Sequence, residues 1–570
     1  MQIPASPDLK WYPCNETYQC ARLSVPLNPM DPDNGLRSEI PLIKLPASPS
    51  CEYKGMVLIN AGGPGNLGYT FLITTGKEIA NATGPGWDIV GFDPRGMGYS
   101  VPNAAVGLLN TTFETSRLNA TDFTPEEGTA GKLARRAVRA AGRVVRAARR
   151  AIRADHYGVQ ISNRPDTWIE GFYEIGRQLN GLIQANSDED NQAVPYMSSP
   201  NVAYDMLQIA KADARARGEC ADEALVNYYG YSYGTIIGQT FLSLYPQHVG
   251  RFVLDSVIDM KDWYRGDIYK SAFYHTDENF STFFTKCFTA GERCSFFTGG
   301  SPDAIRDRFN HLVAQFDAPR AIAEDWANST LVTYGQEVLK TVFGLVGYNT
   351  LLNFPLLADA LAAVDGWFQA GNVTNENLAT IYNKWSPAPS PAAPERAEYG
   401  FTVWCLDFNS SFVGSDKPLD ASYIDQMRED SVTFGERFIL LYAACAWVHA
   451  EPKWRFDGPY KLESPTRTPV LFVGLLKDPV APYENAEIAH GNYAGSGLLY
   501  ADITGHGIMG QRNWCAYDKV RAYFQNLELP GDDNHCPEAT DQPFFYTPAS
   551  SLRKRSLSIP PYQSNALMPV

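Results

Sequence analysis

Gly230-Tyr231-Ser232-Tyr233-Gly234 follows the short run Leu225-Val226-Asn227-Tyr228-Tyr229 and leads directly into Thr235-Ile236-Ile237-Gly238-Gln239-Thr240-Phe241-Leu242. A serine framed by glycines between a strand-like and a helix-like run predicts a sharp turn that lifts its hydroxyl above the end of a sheet. The turn leaves no room for flanking side chains, which is why glycine stands on both sides. The pentapeptide alone occurs by chance in long chains; its strand-turn-helix setting makes Ser232 a candidate nucleophile. A serine hydroxyl is a poor nucleophile unless a positioned base takes its proton and a third group orients that base.

Working outward, four more short apolar runs read as buried strands: Gly55–Asn60, Trp87–Phe92, Arg251–Asp255 and Pro469–Gly474. Alternation of such runs with helical stretches predicts an α/β fold, a mostly parallel sheet covered by helices on both faces. Roughly two hundred residues of mainly helical pattern separate the last two of these strands, interrupted by the proline-rich 386–391. The expected organisation is a first part of the core at 1–260, a helical cap at 261–465, a second part of the core at 466–545 and a loose tail at 546–570.

The partners of Ser232 are expected after late strands. Asp478 follows the run ending at Gly474 and stands in a loop, and His506 lies in Thr504-Gly505-His506-Gly507 after the apolar run Gly497–Ile503. The order Ser, Asp, His therefore runs along successive strand ends, with His506 as base and Asp478 as orienting acid. The alternatives are a structural histidine and a turn aspartate before proline, with Asp502 as the substitute acid. Acyl transfer also requires donors for the developing oxyanion. The Tyr233 N–H supplies one by position, and the loop at Gly62-Gly63 is expected to supply the other because its bare backbone approaches a substrate closely. No Gly-Lys-Ser/Thr follows that loop, so a phosphate-binding role is disfavoured.

With 570 residues and 44% hydrophobic content the chain can bury a large core, and a formal charge of −15 argues against nucleic acid as a partner. Ten cysteines and sequons at Asn15, Asn81, Asn110, Asn119, Asn279, Asn328, Asn372 and Asn409 point to the secretory route. The pairs Cys14/Cys20, Cys287/Cys294, Cys405/Cys445 and Cys515/Cys536 read as structural disulfides, with no zinc-type spacing; the partners of Cys51 and Cys220 stay open. The opening Met1–Pro7 has no hydrophobic signal core, and a mature chain whose leader has been removed is expected. No run reads as a membrane span. Lys132 to Arg153 carries nine basic residues and no acid, with Leu133, Val138, Val144, Val145 and Ile152 opposite the arginines. It predicts an amphipathic helix, either a solvated element on the acidic body or a weak contact to a membrane or anionic partner.

Gly62-Gly63-Pro64-Gly65, Gly91-Phe92-Asp93-Pro94-Arg95-Gly96, Tyr229–Thr235, Asp478 and Gly505-His506 together resemble the prolyl and tripeptidyl aminopeptidase-like group of α/β-hydrolases. The likeness runs from about Trp11 to Cys536, and the end of it resembles fungal secreted members of the tripeptidyl branch. It implies an α/β-hydrolase fold, a serine triad of Ser232, Asp478 and His506, a cap that shapes the pocket, release of short peptides or residues from free N-termini, and no metal or organic cofactor. Asp93 and Arg95 would brace the glycine-rich loop. The sequence departs from the group at Ala61, at Asn66-Leu67 and at Tyr204, and in the Arg-rich segment. A peptide amine would need a carboxylate from the cap, for which Glu337, Asp359, Asp365 and Asp407 are candidates. Two other readings remain: a hydrolase or cyclase tailoring a small acylated metabolite with the same triad, and a non-catalytic binding protein on the same fold.

Overall fold

The computed structural model describes residues 3–14, 16–104, 173, 176–181, 183, 193–317, 347–371, 373, 377, 397–431, 434–539 and 544–545. The Arg-rich segment, the tail from 546, Glu337 and the sequons at Asn15, Asn110, Asn119, Asn328 and Asn372 lie outside the described residues.

Among the described residues, ten strands form one sheet: β1 (Tyr12–Pro13), β2 (Gln19–Pro26), β3 (Arg37–Leu45), β4 (Gly55–Asn60), β5 (Trp87–Phe92), β6 (Val226–Tyr231), β7 (Val249–Asp255), β8 (Val470–Lys477), β9 (Gly497–Thr504) and β10 (His535–Cys536). Their spatial order is β1-β2-β3-β5-β4-β6-β7-β8-β9-β10. Every pair from β5 to β10 is parallel, and β1, β2 and β3 extend the β5 edge as an antiparallel ribbon. The ribbon was not anticipated, although its signal is present: Ala21, Leu23 and Val25 in β2 are buried in strict alternation with half-buried neighbours. By contrast β4 and β5 are buried at every position, as strands covered on both faces must be.

The helices used below are, in chain order, α1 (Gly68–Thr83), α2 (Ser199–Ala216), α3 (Tyr233–Leu244), α4 (Met260–Arg265), α5 (Thr276–Ala290), α6 (Pro302–Asp317), α7 (Thr350–Gln369), α8 (Ala397–Asp407), α9 (Ala421–Asp430), α10 (Gly435–Cys445), α11 (Tyr483–Asn492) and α12 (Trp514–Asn526). Side chains of a strand alternate between faces. Val57, Ile59, Ile89, Val253 and Leu471 therefore pack under α1 and α12, while Leu58, Val90, Phe252, Leu254 and Phe472 pack under α2 and α3. The helices α4 to α10 fall between β7 and β8. Three of them, α5, α6 and α7, build a separate small core around Phe283, Phe309, Leu312, Phe354 and Leu361. By length and composition alone the 20-residue α7 passes for a membrane span; it buries Phe354, Leu357, Ala358, Leu361 and Val364 in that core instead.

Residues ahead of the elbow also contribute to the cap region. Tyr173, Leu179 and Ile183 share a core with Ile439, Tyr442 and Ala444 of α10, the Tyr173 hydroxyl accepts from the Leu419 N–H at 2.8 Å, and Arg177 lies over the Trp447 ring. Disulfides join Cys14 to Cys20, Cys287 to Cys294, Cys405 of α8 to Cys445 of α10, and Cys515 of α12 to Cys536 of β10. Cys51 and Cys220 are exposed thiols.

The strand register assembles one functional edge. Asn60 of β4 pairs with Gly230 of β6, Tyr231 with Asp255 of β7, Asp255 with Val473 of β8, and Lys477 with Thr504 of β9. The loops that follow these parallel strands all emerge on the same side of the sheet. Residues more than four hundred positions apart in the chain thus become neighbours.

Candidate active site

Ser232 links β6 to α3 with φ 57° and ψ −125° and is 2% exposed. A non-glycine residue at positive φ is uncommon and costs on the order of 1–3 kcal/mol. The turn is held from three sides: the Ser232 N–H donates to the Asp255 carbonyl at 3.0 Å, and its carbonyl accepts from the Thr235 N–H at 2.8 Å and the Thr235 hydroxyl at 2.7 Å.

His506 and Asp478 are both buried, at 3% and 0% exposure. The imidazole Nδ1 lies 2.8 Å from one Asp478 oxygen and 2.9 Å from the other. Asp478 also accepts from the Val480 and Ala481 N–H groups at 3.0 and 2.9 Å and from the Ser256 hydroxyl at 2.6 Å. An acceptor-only carboxylate held by these donors fixes the ring tautomer with the proton on Nδ1. Nε2 is left as an acceptor, buried and without a hydrogen-bond partner among the described residues. The histidine sits against the elbow: its ring centroid is 4.7 Å from that of Tyr231, whose hydroxyl donates to the His506 carbonyl at 2.9 Å. Gly507 must be glycine here, since at φ 74° a Cβ would come within 2.3 Å of the Tyr231 ring. On the far side the Tyr348 carbonyl accepts from the His506 N–H at 2.8 Å, and the two rings meet edge to face at 4.8 Å.

The glycine-rich loop lies on the elbow. A Cβ at Gly62, φ 82°, would stand 2.5 Å from the Tyr231 carbonyl oxygen, 2.7 Å from Ser232 Cβ and 2.9 Å from the Tyr233 nitrogen. The Gly62 N–H donates to the Asn60 side-chain oxygen at 2.9 Å. That commitment narrows the second oxyanion donor expected from Gly62-Gly63: Gly62 gives close approach, and its N–H is taken by Asn60. Asn60 was not anticipated; a lone amide at the end of the apolar strand Gly55–Asn60 was the available signal.

Asp93 accepts from the Tyr69 N–H and the Tyr99 N–H, each at 3.2 Å, and so anchors the start of α1, the helix that follows the glycine loop. The bracing role expected of Arg95 is corrected. Its guanidinium donates to both Asp205 oxygens and to the Leu27 and Pro26 carbonyls, so it ties α2 to the antiparallel ribbon and has no donor directed to the loop. This ion pair is almost wholly buried.

The carboxylates proposed for a substrate amine are engaged elsewhere. Asp359 accepts from the Ser295 hydroxyl at 2.6 Å, and Asp365 pairs with Arg308 at 2.7 Å. Asp407 accepts from the Ser199 N–H at 2.9 Å, the Ser199 hydroxyl at 2.5 Å and the Trp263 indole N–H at 3.0 Å. Burial raises its pKa to about 6 against these hydrogen bonds. Ser199 in turn meets the Tyr233 hydroxyl at 2.7 Å, which connects this cap carboxylate to the residue after the elbow. The substitute acid Asp502 is partly exposed and lies 4.0 Å from Lys477.

Two neighbours of the triad candidates escaped the sequence reading. Asp255 is wholly buried; it accepts from the Tyr229 hydroxyl at 2.6 Å and the Ile508 N–H at 3.0 Å, and burial raises its pKa to about 6. Ser256 has φ 56° and touches both Asp478 and the histidine loop. Among the sequons, Asn81 and Asn409 are exposed. Asn279 is corrected: it is 1% exposed and its amide donates to the Lys477 carbonyl at 2.7 Å and the Gly347 carbonyl at 3.3 Å, so it has neither space nor a free nitrogen for a glycan.

A serine in a strained strand-to-helix turn and a buried histidine–aspartate pair, set at the ends of parallel strands, accord with the protein being a serine hydrolase. Residues 55–288 match the family described as alpha/beta hydrolase fold, and residues 430–536 match the family described as TAP-like protein. Over 551 residues the chain is 24% identical to the tripeptidyl aminopeptidase of Streptomyces lividans, a match covering 92% of this chain and 85% of that one. It is 21% identical over 548 residues to the serine protease Hip1 of Mycobacterium tuberculosis, covering 93% and 91% of the two chains. The chain has the α/β-hydrolase fold, and over most of its length it is similar to tripeptidyl aminopeptidases.

Proposed function

We propose that the protein is a secreted exopeptidase that releases short peptides or single residues from free N-termini through an acyl-enzyme. The observation that carries this reading is the state of His506: Nδ1 is bound to Asp478, Nε2 is buried with no hydrogen-bond partner among the described residues, and the ring packs on Tyr231, the residue before the strained Ser232. In the first step Nε2 takes the Ser232 proton as Oγ attacks the carbonyl carbon, and the tetrahedral oxyanion is held by the Tyr233 and Gly63 N–H groups. The imidazolium then protonates the leaving amine, the acyl–serine ester forms, and water activated by the same nitrogen releases the acid. The relatives' names as tripeptidyl aminopeptidase and serine protease support a peptide substrate. The four disulfides and exposed Asn81 and Asn409 support a secretory location.

A second reading, hydrolysis of an ester in a small acylated substrate, draws on the engagement of Asp359, Asp365 and Asp407 by partners within the protein. One assay separates the two. Tripeptide anilides with free N-termini are expected to be cleaved, and the same anilides acetylated at the N-terminus are expected to resist. Cleavage of simple esters with no turnover of either anilide replaces the peptidase reading with the ester reading. A fluorophosphonate probe is expected to label the wild type and not Ser232→Ala; persistent labelling of that variant removes Ser232 as nucleophile.

A further inference from the structure

We propose that Ser256 is a positioning residue of the triad, whose hydroxyl holds Asp478 and the histidine loop in one closed hydrogen-bonded ring; this rests on the triad reading above. The Ser256 oxygen accepts from the Gly507 N–H at 2.7 Å and lies 2.6 Å from Asp478 Oδ2. A backbone N–H only donates and a carboxylate only accepts, so the single hydroxyl proton must point to Asp478. The ring then runs from the His506 imidazole to Asp478, to Ser256, to the Gly507 N–H and back along the chain to His506. It fixes the base by its side chain and by its backbone at once.

The backbone at this position supplies an independent observation. Ser256 follows β7 at φ 56°, in the left-handed region that glycine occupies without strain. A serine there costs on the order of 1 kcal/mol relative to glycine. What the serine adds over glycine is its hydroxyl, and that hydroxyl makes two buried hydrogen bonds, one of them charge-assisted. The preceding residue serves the same edge: the Asp255 carbonyl accepts from the Ser232 N–H, and its carboxylate accepts from the Ile508 N–H. The dipeptide Asp255-Ser256 thus touches the loops of all three triad residues. The sheet register places it between them, since β7 lies between the serine strand β6 and the aspartate strand β8.

Backbone strain and hydroxyl function predict opposite outcomes for one substitution. Ser256→Gly is expected to melt above Ser256→Ala, because strain is relieved, while kcat for a p-nitrophenyl ester falls about ten- to a hundredfold with KM changed less than threefold. Ser256→Ala is expected to lose as much kcat and also to melt lower. Wild-type kcat in a folded Ser256→Gly overturns the assignment, as does a loss confined to KM. Ser232→Ala is the control for the reading beneath it: if that variant still turns over, the triad fails first. If it is inactive and Ser256→Gly is fully active, only the role of Ser256 falls.

Discussion

Gly62→Ala tests whether the glycine loop stabilises the oxyanion or is merely a tight turn. The added methyl meets the Tyr231 carbonyl oxygen at 2.5 Å, Ser232 Cβ at 2.7 Å and the Tyr233 nitrogen at 2.9 Å. None of these is the flexible end of a long side chain, so the loop itself must lift, by on the order of 1 Å to restore ordinary contact. A displacement of that size can cost about a hundredfold in rate, and loss of one oxyanion donor costs about a hundred- to a thousandfold, or roughly 3–4 kcal/mol. The left-handed backbone adds a stability cost on the order of 1–2 kcal/mol, too little to unfold a domain of this size. That second effect has its own control. Gly35 has φ 84°, and a Cβ added there would meet nothing within 4 Å, so Gly35→Ala carries the strain without the clash. The expected result is a kcat lower by about a hundredfold or more in Gly62→Ala on a p-nitrophenyl ester and unchanged in Gly35→Ala. A folded Gly62→Ala with kcat within threefold of wild type would refute the role of the loop.

Asp407 provides a pH test. Its folded pKa is raised from 3.8 to about 6, so the folded chain holds this proton more tightly than the unfolded chain; the stability it contributes is complete below about pH 4 and is lost as pH rises through 6. At about 1.4 kcal/mol per pH unit this amounts to roughly 3 kcal/mol, and urea titrations at pH 5 and 7 should show a smaller difference in Asp407→Asn than in wild type. Arg95→Leu leaves Asp205 buried and unpaired, which should cost roughly 3–5 kcal/mol in a urea melt, with part of the loss recovered when Asp205→Leu is added. In protein expressed through a secretory host, glycopeptide mass spectrometry should find Asn279 unmodified; occupancy there would contradict its burial.

The parts of the site that could be read from the sequence are those written locally. Ser232, His506, Asp478 and the Gly62-Gly63 loop each stand just after a short apolar run, and parallel strands oblige all such loops to emerge on one edge. What escaped is carried by contacts distant in sequence. The hydrogen bond of Ser256 to Asp478 spans 222 positions and that of Ser199 to Asp407 spans 208, and no local pattern encodes either. Asn279 shows the reverse error: its sequon is a local signal, and tertiary burial overrides it. The acidic cap residues suffered similarly, since a carboxylate in a helical run looks the same whether it meets a ligand or, like Asp365, an arginine of the preceding helix α6. The antiparallel ribbon is legible in β2 but less so in Arg37–Leu45, where the buried pair Leu42-Ile43 breaks the alternation.

The cap and the catalytic edge are one mechanical unit. The segment at the start of α7 reaches the histidine loop directly: the Tyr348 carbonyl holds the His506 N–H, Asn349 bridges Gly505, and the Thr350 hydroxyl bonds the Thr504 carbonyl. The start of α5 reaches the acid loop, with Thr276 donating to the Pro479 carbonyl at 2.5 Å and Asn279 joining Gly347 to Lys477. From the opposite side α8 reaches the elbow through Asp407, Ser199 and Tyr233. Each loop that carries a proposed triad residue therefore receives at least one hydrogen bond or hydrogen-bonded relay from the cap. In such an arrangement a substitution far from the serine, such as Thr350→Val, is expected to act on kcat through the orientation of His506, whereas a residue that only lines a pocket acts on KM. On the proposed mechanism, cap sequence is then expected to affect turnover as well as choice of substrate, and changes there are expected to be constrained by the geometry of the proposed triad.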